Sequence, residues 1–154
     1  MIVEVYTDAS VKENAFTISY QIYSDRYSAI CRKYYDKKCD NNIAEMIAIY
    51  QALKHLSFLY RCRGFTVNLY CDSKNAVTLF NNNFTSDQYQ QIKNDIEKLI
   101  IQFKSCLFIH VKAHTKNKDV HSLRNFLADK LCKESLIQKN SKFYLLYNDN
   151  YKTA

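Results

Sequence analysis

Four acidic residues sit where an acid is costly. Asp8 and Asp72 each end an otherwise apolar run, in Tyr6-Thr-Asp8-Ala-Ser10 and Tyr70-Cys-Asp72-Ser73. Glu45 lies among Ala44, Met46 and Ala48 in a stretch that otherwise belongs to a core, and Asp129 follows Ala128, one helical turn after Asn125 on the same face. Taken singly, each reads as a helix cap, a turn residue or a salt-bridge partner. Taken together they point elsewhere, because acids in apolar surroundings need something to offset their desolvation, and a bound cation does so when several converge. Hard oxygen ligands suit magnesium or manganese over zinc. Two such ions about 4 Å apart can activate a water and stabilise the leaving oxygen of a phosphodiester.

The elements that must position these acids follow from periodicity. Val3, Val5 and Thr7 alternate with Ile2, Glu4, Tyr6 and Asp8, the period of a strand that Asp8 ends. Ser10 to Asn14 reads as a turn, with Asn14 the residue best suited to a left-handed conformation. Further strands are expected over 15–23 and 27–35. Ile43, Met46, Ile47, Tyr50, Leu53 and Leu56 recur at helical spacing, and Gly64, the one glycine, is placed to stop that helix in a left-handed C-cap. A fourth strand over 65–71 ends on Asp72. A short helix over 73–80, a loop over 81–85, a long helix over 86–103, a fifth strand over 105–112 and a last helix from about 122 follow. The expectation is one α/β domain over 1–139, in the order βββ-α-β-α-α-β-α, with a five-stranded mixed sheet and helices on both faces. Residues 140–154 read as a Tyr/Asn/Lys-rich tail. If the first and fourth strands are adjacent and parallel, Asp8 and Asp72 lie side by side at the carboxyl end of the sheet, where ligands collect in open α/β folds.

Composition narrows the function. The 154 residues are 47% hydrophobic and 24% charged, which suits a folded domain and excludes disorder. One glycine and no proline exclude glycine-rich dinucleotide and triphosphate loops, so no organic cofactor is expected. No apolar run approaches the roughly 20 residues of a membrane span, and the N-terminus lacks the regions of a signal peptide. The six cysteines, Cys31, Cys39, Cys62, Cys71, Cys106 and Cys132, are spaced as buried free thiols, which implies a reducing cytoplasm. A net charge of +7 fits an anionic partner and equally a soluble surface. A monomer is expected.

Tyr-Thr-Asp8-Ala-Ser, Asn41-Asn-Ile-Ala-Glu45, Tyr-Cys-Asp72-Ser and Asn125-Phe-Leu-Ala-Asp129, in this order and on these elements, resemble the four acidic motifs of type 1 ribonuclease H over about residues 1–138. The resemblance implies an endonuclease that hydrolyses the RNA strand of RNA/DNA hybrids with two magnesium ions, leaving 3′-hydroxyl and 5′-phosphate ends. It makes Asp8, Glu45, Asp72 and Asp129 the metal ligands. Val111-Lys-Ala-His114 resembles the family's mobile loop, whose histidine assists proton transfer or product release. Fourteen residues separate His114 from Asp129 in a loop longer than usual, and His121 could take over the part. His55 and His110 read as structural. Asn41 and Asn42, at a helix start, can sense ribose hydroxyls across a minor groove, joined by Ser10, Ser73, Lys74 and Asn125. Arg32, Lys33, Lys37 and Lys38 form one basic group, and Lys112, Lys116 and Lys118 another.

The sequence also departs from the family. Ala9 and Ala113 stand where glycines are usual, and Asp40 replaces a hydroxyl residue that helps hold a DNA phosphate. Asn14, Asn41 and neighbouring lysines would then hold that phosphate. The segment 81–85 carries no Lys or Arg, so neither the basic protrusion of some members nor a separate hybrid-binding domain is expected. These departures motivate an alternative, a catalytically weak or inactive nucleic-acid-binding relative of the same fold. Another nuclease or transposase of the superfamily would share the metals without the Asn41-Asn42 sensor, and a purely structural α/β protein would not respond to magnesium.

Overall fold

The computed structural model describes residues 1–59, 61–81, 89–112, 116 and 118–147. Alternating apolar and polar residues make β1 (Ile2–Val11), β2 (Phe16–Tyr23) and β3 (Tyr27–Tyr35) an antiparallel meander. Its turns are closed by Lys12 N–H donating to Ala15 O at 2.8 Å and Ser24 N–H donating to Tyr27 O at 3.1 Å. Helix α1 (Asn41–Ser57) leads through a single 3-10 turn (Cys62–Gly64) to β4 (Thr66–Cys71). Then come α2 (Lys74–Asn81), α3 (Gln90–Ile100), β5 (Ser105–His110), α4 (Val120–Gln138) and β6 (Lys142–Tyr147). The sheet order is β5-β4-β1-β2-β3-β6, with β4 parallel to both β1 and β5. Among the described residues, no helix is long and apolar enough to cross a membrane.

Among the described residues the sheet therefore has six strands, and the expectation of five is corrected. The sixth comes from the stretch read as a tail, where Lys142-Phe-Tyr-Leu-Leu-Tyr147 lacks the alternation that marks a half-buried strand. It pairs antiparallel with β3, Phe143 opposite Cys31 and Leu145 opposite Ala29. The four helices occur in the expected order. Two local expectations also fail. Among the described residues the left-handed positions are Arg61 and Lys139, not Asn14 or Gly64. Helix α1 ends earlier, with Phe58 right-handed at its C-cap, and Arg61 (φ 66°) makes the reversal at a cost of about 1–2 kcal/mol for a side chain there.

The two faces of the sheet are covered by different chemistry. On one, Val3, Val5, Tyr20, Ile22, Val67 and Leu69 form the main core with Met46, Ile49, Leu53 and Leu56 of α1. Ala44, Ala48 and Ala52, all fully buried and four residues apart, form a small-residue ridge that lets α1 approach the strands closely. On the other face β2 presents polar side chains. Thr17 Oγ1 donates to Cys132 O at 2.9 Å, Ser19 Oγ to Ala128 O at 2.7 Å and Gln21 Nε2 to Arg124 O at 2.7 Å. Two strand residues advance about 6.8 Å and four helix residues about 6.0 Å, so three contacts stay in step along α4. All three β2 side chains are fully buried. Lower on the same helix, buried Arg32 donates to Glu134 at 2.9 Å, Gln138 at 2.8 Å and Asn140 at 3.0 Å, tying β3 to the end of α4.

This seam predicts that Thr17→Val and Ser19→Ala each lower the unfolding free energy by about 1 kcal/mol, the net worth of one buried hydrogen bond, as measured by urea denaturation. A loss below the precision of the measurement for both would show that the seam holds α4 by shape and not by its hydrogen bonds.

Candidate active site

The parallel pairing of β1 with β4 runs to Thr7 opposite Cys71. Asp8 is the next residue of β1 and Asp72 the first residue after β4, so the register places them at one level. β4 stops there, whereas β1 continues to Val11, with Asp8 paired to Ser19 of β2. Glu45, in the second turn of α1, is carried to the same place by the alanine ridge beside it. Ligand oxygens of Asp8, Glu45 and Asp72 all lie within 4.8 Å of one another.

Three carboxyl groups this close, two of them buried, cannot all ionise without a counter-charge. The Asp8 carboxyl is pushed up to about 8, first by burial, then by Asp72, with Asp129 adding to the effect and the Ala9 N–H offsetting part of it. Glu45 is raised well above the ordinary carboxylate range by burial, Asp8 and Asp72. The same field reaches the Cys71 thiol, raised to about 12 by burial and then by Glu45. Glu45 Oε2 is buried and accepts no hydrogen bond among the described residues. An unmet acceptor in a set of hard oxygen donors fits a divalent cation such as magnesium or manganese.

The other expected residues fall in different places. Asp129 lies on α4 beside Ala128, whose carbonyl the Ser19 hydroxyl holds; it acts on Asp8 through its charge and is bound by Lys133 Nζ at 2.7 Å. Asn125 is buried one turn earlier. His114, with Ala113, falls outside the described residues. His121 is engaged away from the three acids: its Nδ1 is 2.6 Å from Tyr6 Oη, and its ring stacks on Tyr70 at 4.4 Å. Arg124 lies over the Tyr23 ring at 3.7 Å and reaches Glu4 at 3.4 Å in the same cluster. His110 Nε2 sits 3.2 Å from Asp72 O, and His55 sits 3.1 Å from Tyr20 Oη. Both bind neighbouring strands.

Near the start of α1 the amides form a chain that the sequence reading half saw. Asn42 Nδ2 donates to Tyr89 Oη at 3.4 Å, and Asn75 Nδ2 donates to Asn42 Oδ1 at 3.3 Å. Asn75 and Tyr89 were not singled out, although Asn75 follows Ser73 and Lys74 directly. Asn41 and Lys74 are exposed, as is Asn14 in the first turn, and Ser10 is half-buried opposite Thr17. The Ser73 hydroxyl accepts from Ala76 N–H at 3.2 Å and so caps α2. Asp40 caps α1, its carboxylate accepting from Asn42 N–H at 2.9 Å and Ile43 N–H at 3.1 Å. Two of the amides that would meet a phosphate at this helix start, those of Asn42 and Ile43, are thus already used. Arg32 belongs to α4's anchor and not to a substrate-facing basic group, because it is buried and triply bonded.

A family model described as RNase H matches residues 1–137. No curated protein sequence matches the chain. Among solved structures, the chain is similar to RNase H1 from the halophilic archaeon Halobacterium salinarum, at 18% identity over 90% of this chain and 99% of that one, with a TM-score of 0.71. It is similar to LC11-RNase H1 in complex with an RNA/DNA hybrid, at 18% identity, 89% and 98% coverage and a TM-score of 0.69. LC9-RNase H1, a type 1 RNase H with the type 2 active-site motif, shares 13% identity over 96% of this chain and 78% of its own, with a TM-score of 0.75. At these identities the structural likeness is one of fold. The family match spans every element from β1 through nearly all of α4, and with it all four acids, and the chain therefore belongs to the ribonuclease H family of enzymes.

Proposed function

We propose that this chain hydrolyses the RNA strand of RNA/DNA hybrids, leaving 3′-hydroxyl and 5′-phosphate ends, with two magnesium ions for which manganese can substitute. The observation that carries the proposal is the meeting of Asp8, Glu45 and Asp72 from three separate stretches of chain within 4.8 Å, around a buried Glu45 oxygen with no hydrogen bond among the described residues. Family membership supports it, and the hybrid-bound LC11 neighbour shows that a related fold engages such a substrate.

In this reading Asp8, Glu45 and Asp72 hold the ions, with Asp129 completing the set. When bound, such ions activate a water and stabilise the departing 3′ oxygen. The protein's own residues orient the substrate. Asn41, Asn42 and Asn75 offer amides to ribose hydroxyls across the minor groove, Ser10, Asn14, Ser73 and Lys74 border that path, and Asn125 supports it from α4. His114 exchanges the proton as product leaves. Lys133 balances the charge of Asp129 and keeps its carboxylate in place. The binding-only alternative is favoured by one observation, that Asp40 and not a phosphate satisfies the first amides of α1.

Asp8→Asn and Asp72→Asn are expected to lower magnesium-dependent cleavage of a labelled hybrid by at least about 100-fold while the fold is kept, and EDTA to abolish it. A folded wild-type chain that leaves the hybrid intact in magnesium would sink the enzyme reading. Asp40→Ser keeps a capping oxygen and removes a charge, so hybrid affinity should rise severalfold at low salt and less at high salt, as read by fluorescence anisotropy.

The raised carboxyls fix the sign of the pH dependence. In the unfolded chain Asp8 and Glu45 titrate near pH 4, whereas the metal-free fold keeps protons up to about pH 8 at Asp8. The Asp8 contribution to stability is complete below about pH 4 and is lost as pH rises through about 8, and the raised Glu45 carboxyl acts in the same direction. Melting temperature in EDTA should therefore fall across that window, magnesium should restore it at pH 8, and Asp8→Asn should flatten the decline. A metal-free melting temperature that rises from pH 5 to pH 8 would contradict the assignment.

A further inference from the structure

A second concave site lies on the α1 side of the sheet, away from the acids. It is a cleft of about 420 Å³ between the C-terminal half of α1 and the strands β2 and β3. Its lining brings two ammonium groups, Lys33 and Lys54, and no carboxylate. Neither lysine is ion-paired among the described residues. Lys33 Nζ donates to Gln51 Oε1 at 3.1 Å, and exposed Lys54 has its Nζ 5.7 Å from the Tyr50 ring centre. Burial and the Lys33 charge lower the His55 pKa, so this ring is a neutral aromatic surface beside an uncompensated cation. It meets Tyr20 edge-on and lies 5.5 Å from Phe143. Phe58, at the helix end, is 78% exposed.

Each feature constrains the occupant. Two cations with no acid among the described lining residues favour an anion over a cation, and Lys54, in the last turn, offsets the negative end of the helix. Exposed Phe58 and the His55 ring offer flat apolar faces, and Gln51 and Tyr20 add polar atoms. Basic grooves interleaved with aromatic rings are how proteins hold unpaired nucleic acid, since every base has a face to stack. The volume falls at the lower end of the roughly 300–1,000 Å³ of small-ligand sites, room for one nucleotide and too little for a duplex. Ten residues of α1 separate His55 from Glu45, about 15 Å along the helix axis, so the cleft is distinct from the carboxylate cluster.

We propose that this cleft binds one nucleotide unit of a single-stranded nucleic acid, its phosphate between Lys33 and Lys54 and its base against Phe58 and His55. The proposal stands on these residues and does not depend on hybrid cleavage.

The test is binding by the full chain, in EDTA so that no divalent ion can bridge a phosphate to the carboxyl cluster, of a labelled 12-nucleotide oligothymidylate and of adenosine monophosphate. Lys33→Gln combined with Lys54→Gln should weaken the oligonucleotide at least about tenfold at low salt and make the logarithmic salt dependence shallower by about 0.7, one phosphate on a single strand. Phe58→Ala should cost at least about fivefold. Lys54→Glu, at an exposed position whose side chain makes no hydrogen bond among the described residues, keeps the test valid if the double variant melts early. Loss of monophosphate binding in the variants would show that a free nucleotide suffices, and loss with the oligonucleotide alone would assign the site to a strand; either supports the proposal. Equal affinities of wild type and all folded variants for both probes would overturn it.

Discussion

Holding three carboxyl groups within 4.8 Å, two of them out of water, is the constraint around which this fold is arranged. Left to itself such a group of charges would push apart or take up protons, and the raised Asp8 and Glu45 carboxyls register that tension. Side chains on loops would relieve it by moving. Here Asp8 and Glu45 stand on regular elements and Asp72 directly follows one, so two of the three are placed by the register of one parallel strand pair. The third is fixed by how closely α1 can approach the sheet, which the side chains of Ala44 and Ala48 decide. The energy stored in the cluster comes from packing elsewhere, and it is the same energy that a divalent cation recovers on binding.

The two faces of the sheet solve different problems. The α1 face is apolar, dense and tolerant in direction, since dispersion and burial have no preferred angle. The α4 face is directional. Thr17, Ser19 and Gln21 meet carbonyls of α4 in order, so that helix can neither slide nor turn without losing several bonds at once. Asp129 follows one of those carbonyls directly, which places an acid at a defined height above the sheet.

Much of this was legible in the sequence, for physical reasons that can be named. Asp8 and Asp72 stood out because strand alternation ends on them, and Glu45 because helical periodicity puts an acid among core residues. Other features were illegible because hydropathy says nothing about what covers a residue. Thr17, Ser19 and Gln21 look like a solvent face and are fully buried; Arg32 looks like a substrate cation and is a buried anchor. The strand β6 hid in a run with no period, since its partner β3 and not its pattern makes it a strand. Gly64 looked like the helix stop because glycine accepts a left-handed turn most cheaply, yet Arg61 bears that conformation. Asp40 looked like a repulsive intruder at a phosphate site, and its carboxylate proves to be the cap of α1.

The pairing of β6 with β3 has a consequence in time. Residues that lie side by side in the sheet, such as Cys31 and Phe143, are 112 positions apart in the chain. At a synthesis rate of about 5–20 residues per second, β3 leaves the ribosome roughly 5–20 seconds before the strand that will cover its edge exists. Throughout that interval the nascent meander shows an open row of backbone donors and acceptors, the kind of edge on which neighbouring chains pair. Lys33, Lys37 and Lys38, along and just beyond that strand, give the waiting edge positive charge. Cations that in the finished protein line a cleft, as Lys33 does, or face outward, as Lys37 and Lys38 do, are thus also placed to keep two half-made copies from joining.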